Sequence, residues 1–287
     1  MNSLVKLEIR KAFQNKFFLI SVITGCIITV FSFTDIAGNY LQSLFVVSES
    51  TSSIVYDPHI GINTVFNCWI GGEPFSMGSS VYFFIFPLLC ALPYGWSYNE
   101  EKGTGYYRTV IVKQGKKSYY FAKYIAVFLA GGCAMVFPLI FNLWMVLLTV
   151  PIIKPEVNQS IYYAVFGGMC FSELYYTIPF LYVAIYLMID FICCGFLSCI
   201  CVSVSGVIRK KWVVVSVPFL LLLFIHIGVD YIYSSSAIRY KELSPFYFLR
   251  GVDIRYPLSG IVLLTFIVIL FILSVAGIIK EYRNEIY

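Results

Sequence analysis

Charged residues are scarce in this chain. Asp, Glu, Lys and Arg make up 12% of its 287 residues, against about 25% in a soluble domain. Hydrophobic residues make up 60%, and the mean hydropathy is +0.83. The deficit excludes an ordinary soluble domain, and several apolar runs near 20 residues place the chain among polytopic helical membrane proteins. Histidine is nearly missing, with two in all. No C-x-x-C pair occurs: Cys199 and Cys201 are separated by one residue, and neither histidine lies nearby. Cys26, Cys90, Cys133, Cys193, Cys194, Cys199 and Cys201 fall in apolar runs, where cysteine packs as a small hydrophobe. A metal site is therefore not expected. Cys68 and Cys170 fall in loops, and spacing alone neither requires nor forbids a bond between them.

Catalytic motifs are missing too. Gly115-Lys116-Lys117-Ser118 comes nearest to a phosphate-binding loop, but Lys117 stands where Ser or Thr is needed and Val110 where the first Gly is needed. Glu100-Glu101 begins like the Glu-Glu-x-x-x-Arg motif of membrane proteases, but Gly105 occupies the Arg position, and His226 is the only histidine in a span. No Ser/His/Asp grouping appears. The chain is expected to carry no enzyme activity and no cofactor or metal of its own.

The apolar runs define six expected spans, at about 17–34, 78–96, 124–150, 186–208, 212–231 and 257–279. Residues 1–16, with Leu4, Val5, Leu7 and Phe13 among Lys6, Arg10, Lys11 and Lys16, read as an amphipathic helix on the membrane surface. Ile23-Thr24-Gly25-Cys26 resembles a lipoprotein cleavage box. The run stays apolar beyond Cys26, which favours a retained first span. Asp35–Met77 contains no Lys or Arg and is expected outside; within it, INTVFNCWIGG reads as a short helix packed at the outer surface. Residues 151–177 are also placed outside, with the apolar piece 161–171 interfacial or re-entrant.

Basic residues test this topology. Fifteen of the twenty Lys and Arg fall in pieces expected inside: residues 6–16, 98–123, 209–211 and 280–283. The other five are Lys154, Arg239, Lys241, Arg250 and Arg255. The bias places both termini inside and makes the net charge of +5 a mark of topology, not of nucleic-acid binding.

The polar stretch 97–123 stands out between two apolar runs. It opens on Glu100-Glu101, continues through Gly103-Thr104, Arg108 and Lys113 to Gly115-Lys116-Lys117, and ends at Lys123. Further on, Ser203 and Ser205 precede Arg209-Lys210-Lys211 and then Pro218-Phe219, and Ser244-Pro245 lies in the last external loop. In this order and placement, the chain resembles the permease subunits of ABC transporters of the ABC-2 type over nearly its whole length. Gly105-Tyr106-Tyr107 departs from the aliphatic continuation usual after Gly-Thr.

The resemblance implies a single transmembrane domain over residues 1–287. It would work with two copies of a separate ATPase subunit, which hold ATP and Mg, and with a second permease, identical or related. It makes 97–123 a cytoplasmic coupling loop, with Glu100, Glu101, Gly103, Thr104, Arg108, Lys113, Gly115, Lys116 and Lys117 docking the ATPase. It also implies a bacterial cell membrane and export of an amphipathic or hydrophobic substrate, such as an antimicrobial peptide or drug. Asp190 and His226 are the two candidates for a transport path. Counting about 20 residues back from Arg209 puts Asp190 near the outer headgroups. The residues alone also leave open a six-span scaffold or sensor that recruits a cytoplasmic partner without transport.

Overall fold

The computed structural model describes residues 2–49, 63–235 and 241–283, and every element among them is helical. Residues 50–62 of the stretch expected outside, and Arg239, lie outside the described residues. Five helices are long and apolar enough to cross a membrane: α2 (Lys16–Glu49), α7 (Lys116–Thr149), α10 (Pro179–Val204), α11 (Lys211–Ser235) and α13 (Gly260–Arg283), in the chain-order numbering used throughout. This is the architecture of a multi-pass helical membrane protein.

The run expected as the second span forms a shorter apolar helix, α4 (Met77–Ala91). Its end follows from Pro93, which has no N–H to donate to the carbonyl of Leu89. Ser21 Oγ on α2 takes that carbonyl instead, at 2.6 Å, so the break is satisfied from a neighbouring helix. A turn over Leu92–Trp96 leads to two short helices, α5 (Ser97–Thr104) and α6 (Tyr106–Gln114). The polar stretch expected as a loop is thus mostly helical. Gly105 and Gly115 divide it, with φ of +75° and +84°, a region that costs glycine little. α7 begins right after Gly115, eight residues before the expected start of the third span, which brings Lys123 inside a long helix.

α10 is the central helix and packs on α7, α13, α4 and α11. Gly131 and Gly132 make the α7–α10 approach possible. A Cβ on Gly131 would lie 2.4 Å from Ser198 Cβ, and one on Gly132 would lie 2.7 Å from the Phe191 ring. α2 joins the other side of α7, where the buried Asn142 donates to the Thr29 carbonyl at 3.0 Å and accepts from Ile70 N at 2.8 Å.

The two ends of the bundle differ. One, the crown, is built from α3 (Val65–Cys68), α8 (Ser160–Tyr163), α9 (Ser172–Thr177), α12 (Pro245–Phe248) and their connections. Main-chain bonds stitch these together: Val65 N to Pro151 O, Gly251 N to Gly71 O, Asp253 N to Ala164 O and Cys170 N to Leu258 O. Buried Tyr163, Tyr175, Tyr182 and Tyr186 form a ladder of rings from the crown into α10, with centroids 4.8–6.1 Å apart. The piece 161–171 belongs to this layer, with Tyr163, Val165 and Met169 buried and Ile161, Phe166 and Phe171 exposed. Cys68 and Cys170 are free thiols, as are the other seven cysteines.

The other end, the base, gathers α1 (Asn2–Phe13), α5, α6, the α10–α11 turn and the last turn of α13. α1 packs against α7 through the face carrying Leu4, Glu8 and Ala12, while Leu7 is exposed.

Candidate functional site at the base of the bundle

α5 has eight residues, and side chains on every side of it reach a different helix. Glu101 turns inward. It accepts from Lys123 Nζ on α7 at 2.8 Å and from the Tyr119 hydroxyl. Lys123 is 0% exposed and also donates to Glu8 of α1 at 2.6 Å. Glu8 is 2% exposed and accepts from Tyr94 Oη at 2.9 Å and Lys11 Nζ at 3.1 Å. Lys123 Nζ also lies 4.8 Å from the centroid of the Tyr94 ring. One lysine therefore links α1, α5 and α7 through two carboxylates.

Burial alone would raise the Glu8 carboxyl, but the Lys123 and Lys11 ammoniums together outweigh it and hold Glu8 below the ordinary carboxylate range. The converse holds at Lys11, where Glu8 outweighs burial and the ammonium is raised.

The opposite side of α5 binds the C-terminal helices. Tyr98 Oη donates to Glu281 Oε2 on α13 at 2.9 Å, and Lys102 Nζ donates to the same oxygen at 2.9 Å and to the Gly206 carbonyl at 3.3 Å. Glu281 fits because residue 206 is glycine: a Cβ there would lie 1.9 Å from Glu281 Oε1. Asn99 Nδ2 donates to the Ile208 carbonyl, and Glu100 pairs with Lys211 at 3.6 Å. Lys211 itself lies over the rings of Trp96 and Trp212. α5 is thus bolted to α1, α7, the α10–α11 turn, α11 and α13.

α6 is the reverse. Ile111 is its one buried residue. Tyr106, Arg108, Thr109, Val112, Lys113 and Gln114 are exposed, and Val112 is 85% exposed. Gly103 and Thr104 at the end of α5 are exposed too, as are Gly115 and Lys117 around the start of α7. Lys116 is half-buried, with Nζ 5.1 Å from the Tyr282 ring centroid on α13. Arg108, Lys113 and Lys117 are thus exposed along with the apolar Val112, and α6 itself contains no carboxylate.

The structure therefore divides the nine docking residues read from the sequence. Arg108, Lys113, Lys117 and the glycine-bounded turns face out, with Thr104 beside them. Glu100 is exposed but paired, and Glu101 is partly buried and turned inward onto Lys123. Sequence reasoning missed Glu8, Tyr94, Lys123 and Glu281 as members of the site. One signal was available: Tyr119 and Lys123 lie four apart on one helical face, as do Leu4, Glu8 and Ala12.

Asp190 and His226 are not brought together. Asp190 is the twelfth residue of α10 and 1% exposed, inside the core and not at its outer edge, because α10 starts at Pro179. Its Oδ1 has no hydrogen-bond partner among the described residues. His226 lies at the crown end of α11, with Nδ1 2.8 Å from Ser244 Oγ and its ring edge-on to Phe246 and Tyr247. Among the described residues, no group of three or more His, Cys, Asp and Glu is placed to hold a metal ion.

The fold and the site together define a multi-pass helical membrane protein with a charged, helical base. No protein-family model, curated protein or solved structure matches the chain.

Proposed function

We propose that this chain is the membrane-spanning subunit of an ATP-driven exporter of the ABC-2 permease kind, coupled through α5 and α6 to a separate ATPase. The observation that carries this reading is the two-sidedness of the base: α5 is fixed to four helices and the α10–α11 turn, while α6 presents basic and apolar side chains that nothing among the described residues covers. A partner seated on α6 and displaced by its own ATP cycle moves α5, and with it the base ends of α1, α7, α11 and α13 as a unit. This is rigid-body alternating access. The sign of the face calls for an acidic groove on the partner, and such complementarity sets register and encounter rate more than affinity.

α4 serves as the sixth crossing in this reading. Its 15 residues rise about 22 Å, and the Leu92–Trp96 turn completes the passage. Fifteen of the twenty Lys and Arg lie at the base, which supports a cytoplasmic base with both termini on that side. A second permease completes the pathway, ATP and Mg sit on the partner subunits, and the cargo is an amphipathic or hydrophobic molecule such as an antimicrobial peptide. The exposed face of α6 equally suits a scaffold that recruits a partner without transport, and flux separates the two.

The test is reconstitution with the ATPase in proteoliposomes. Val112→Asp combined with Lys113→Glu inverts the face without touching the α5 clamp. The expected result is a loss of ATPase stimulation and of ATP-dependent flux of at least about tenfold, equivalent to about 1.4 kcal/mol of interaction. Unchanged stimulation and flux would remove the docking role, and stimulation without any flux would favour the scaffold.

A further inference from the structure

Arg250, in the crown segment between α12 and α13, is 5% exposed and has no ion-pair partner among the described residues. The one hydrogen bond of its side chain there is a long donation from Nη1 to the Pro74 carbonyl at 3.4 Å, and Nε has none. The guanidinium carbon lies 5.1 Å from the centre of the Phe83 ring. Glu73 is the carboxylate that acts on it, but its two oxygens accept from Phe75 N at 2.6 Å and Ser76 N at 2.7 Å. Burial pushes the guanidinium down to about 10. The neighbouring Arg255 shows what a satisfied arginine looks like in this layer, with Asp230 at 2.7 Å and Glu242 at 3.7 Å.

A buried guanidinium without a direct ion pair is costly unless something close neutralises it. Arg250 lies in the wall of a cavity of about 420 Å³ between α4, α11 and the crown, whose other walls include Val81, Phe84, His226, Phe246 and Tyr247. Val81 and Phe84 are partly exposed on the side of the bundle, so the cavity opens along an apolar face. His226 Nδ1 is committed to Ser244, and its Nε2 lies 3.8 Å from Asp230, so among the described residues of this wall Arg250 is the charge without a direct ion pair. A small anion would satisfy the charge but leave the aromatic walls bare. An apolar molecule would fill the walls but leave the charge.

We infer that this cavity binds an anionic amphiphile, a carboxylate or phosphate head on an apolar chain, with the head on Arg250 and the chain along Val81, Phe84 and Phe246. The inference does not depend on coupling to an ATPase. The site is separate from the base and takes a ligand from the surrounding lipid.

The test uses the full chain purified in a neutral maltoside detergent, with binding read as a rise in melting temperature on titration. The probes are dodecanoate, dodecyl phosphate, dodecanol and inorganic phosphate. Dodecanoate and dodecyl phosphate are expected to bind at least about tenfold tighter than dodecanol, the range for a hydrogen bond to a charged group, and inorganic phosphate to give no shift. Arg250→Met should abolish the preference for the charged heads without lowering the melting temperature of the free protein, because it removes an unpaired charge. Val81→Trp, which fills the cavity from α4, should abolish binding of the amphiphiles with Arg250 intact. Equal binding of dodecanol and dodecanoate, binding of phosphate alone, or retained preference in Arg250→Met would each overturn the assignment. If Arg250→Met does not fold, retained binding by Val81→Trp would overturn it alone.

Discussion

Lys123→Met is the sharpest test of how the base is held. Lys123 is wholly buried and contacts two carboxylates, at 2.6 Å to Glu8 and 2.8 Å to Glu101. Removing it leaves Glu8 inside the protein with only the half-exposed Lys11 and the Tyr94 hydroxyl, and Glu101 with the Tyr119 hydroxyl. Breaking a buried pair from one side costs about 3–5 kcal/mol, mostly as the uncompensated charge left behind. At ~2–4 °C per kcal/mol for chains of a few hundred residues, the melting temperature should fall by about 6–20 °C in detergent. Glu8→Gln should cost less, because Lys123 keeps Glu101. The double variant Lys123→Met with Glu8→Gln should recover at least about 1 kcal/mol relative to Lys123→Met, since one stranded carboxylate is gone. The assay is thermal unfolding followed by near-UV circular dichroism at constant detergent and pH. A fall of less than about 2 °C for Lys123→Met, or a double variant no better than the single, would refute the buried-network account.

Two further predictions follow from the packing and the crown. Gly132→Val should lower the melting temperature sharply, because its side chain would meet the ring and carbonyl of Phe191 at the α7–α10 contact; overpacking of this kind costs about 1–3 kcal/mol or more. An unchanged melting temperature would mean that the two helices are not in close contact. Asp253 is half-buried in the crown, and burial raises its carboxyl from the ordinary 3.8 to about 6, with the Phe166 N–H pulling the other way. Folding favours the protonated form, so its contribution to stability is full below the ordinary value and is lost as pH rises through about 6. The chain should therefore lose part of its thermal stability between about pH 4 and about pH 6, and Asp253→Asn should flatten that part of the profile. A profile unchanged by the substitution would contradict the assignment.

The five long apolar helices were plain from hydropathy, because each carries an uninterrupted apolar run. The short helix over Val65–Cys68 was legible in its semi-apolar patch. α4 came out shorter than expected because Pro93 ends the helix, and the rule that makes proline tolerable in a span does not say where the chain turns. The helices in the polar stretch were hidden by its charge: Glu101 read as a docking residue and Lys123 as the end of the coupling loop, yet the two pair at 2.8 Å on the inner side of the base. Glu8 escaped notice because one carboxylate among four basic residues reads as surface. Its pairing with a lysine 115 positions away is a tertiary fact that no local pattern carries. Asp190 was misplaced because counting back from Arg209 assumed that the helix reaches the basic turn. α10 ends at Val204, and the turn residues Ser205–Lys210 take up the difference.

The central claim, that α6 is the seat of an ATPase, is tested most directly by cross-linking from position 112 in native membranes. A photoreactive amino acid replacing Val112, the most exposed apolar residue of α6, should capture a polypeptide whose peptides include a phosphate-binding loop, with a yield that changes on adding ATP. The same probe at Ile153, exposed in the connection after α7, should capture no such polypeptide. Cross-links from position 112 to lipid alone, or to a partner lacking a nucleotide site and indifferent to ATP, would contradict the account.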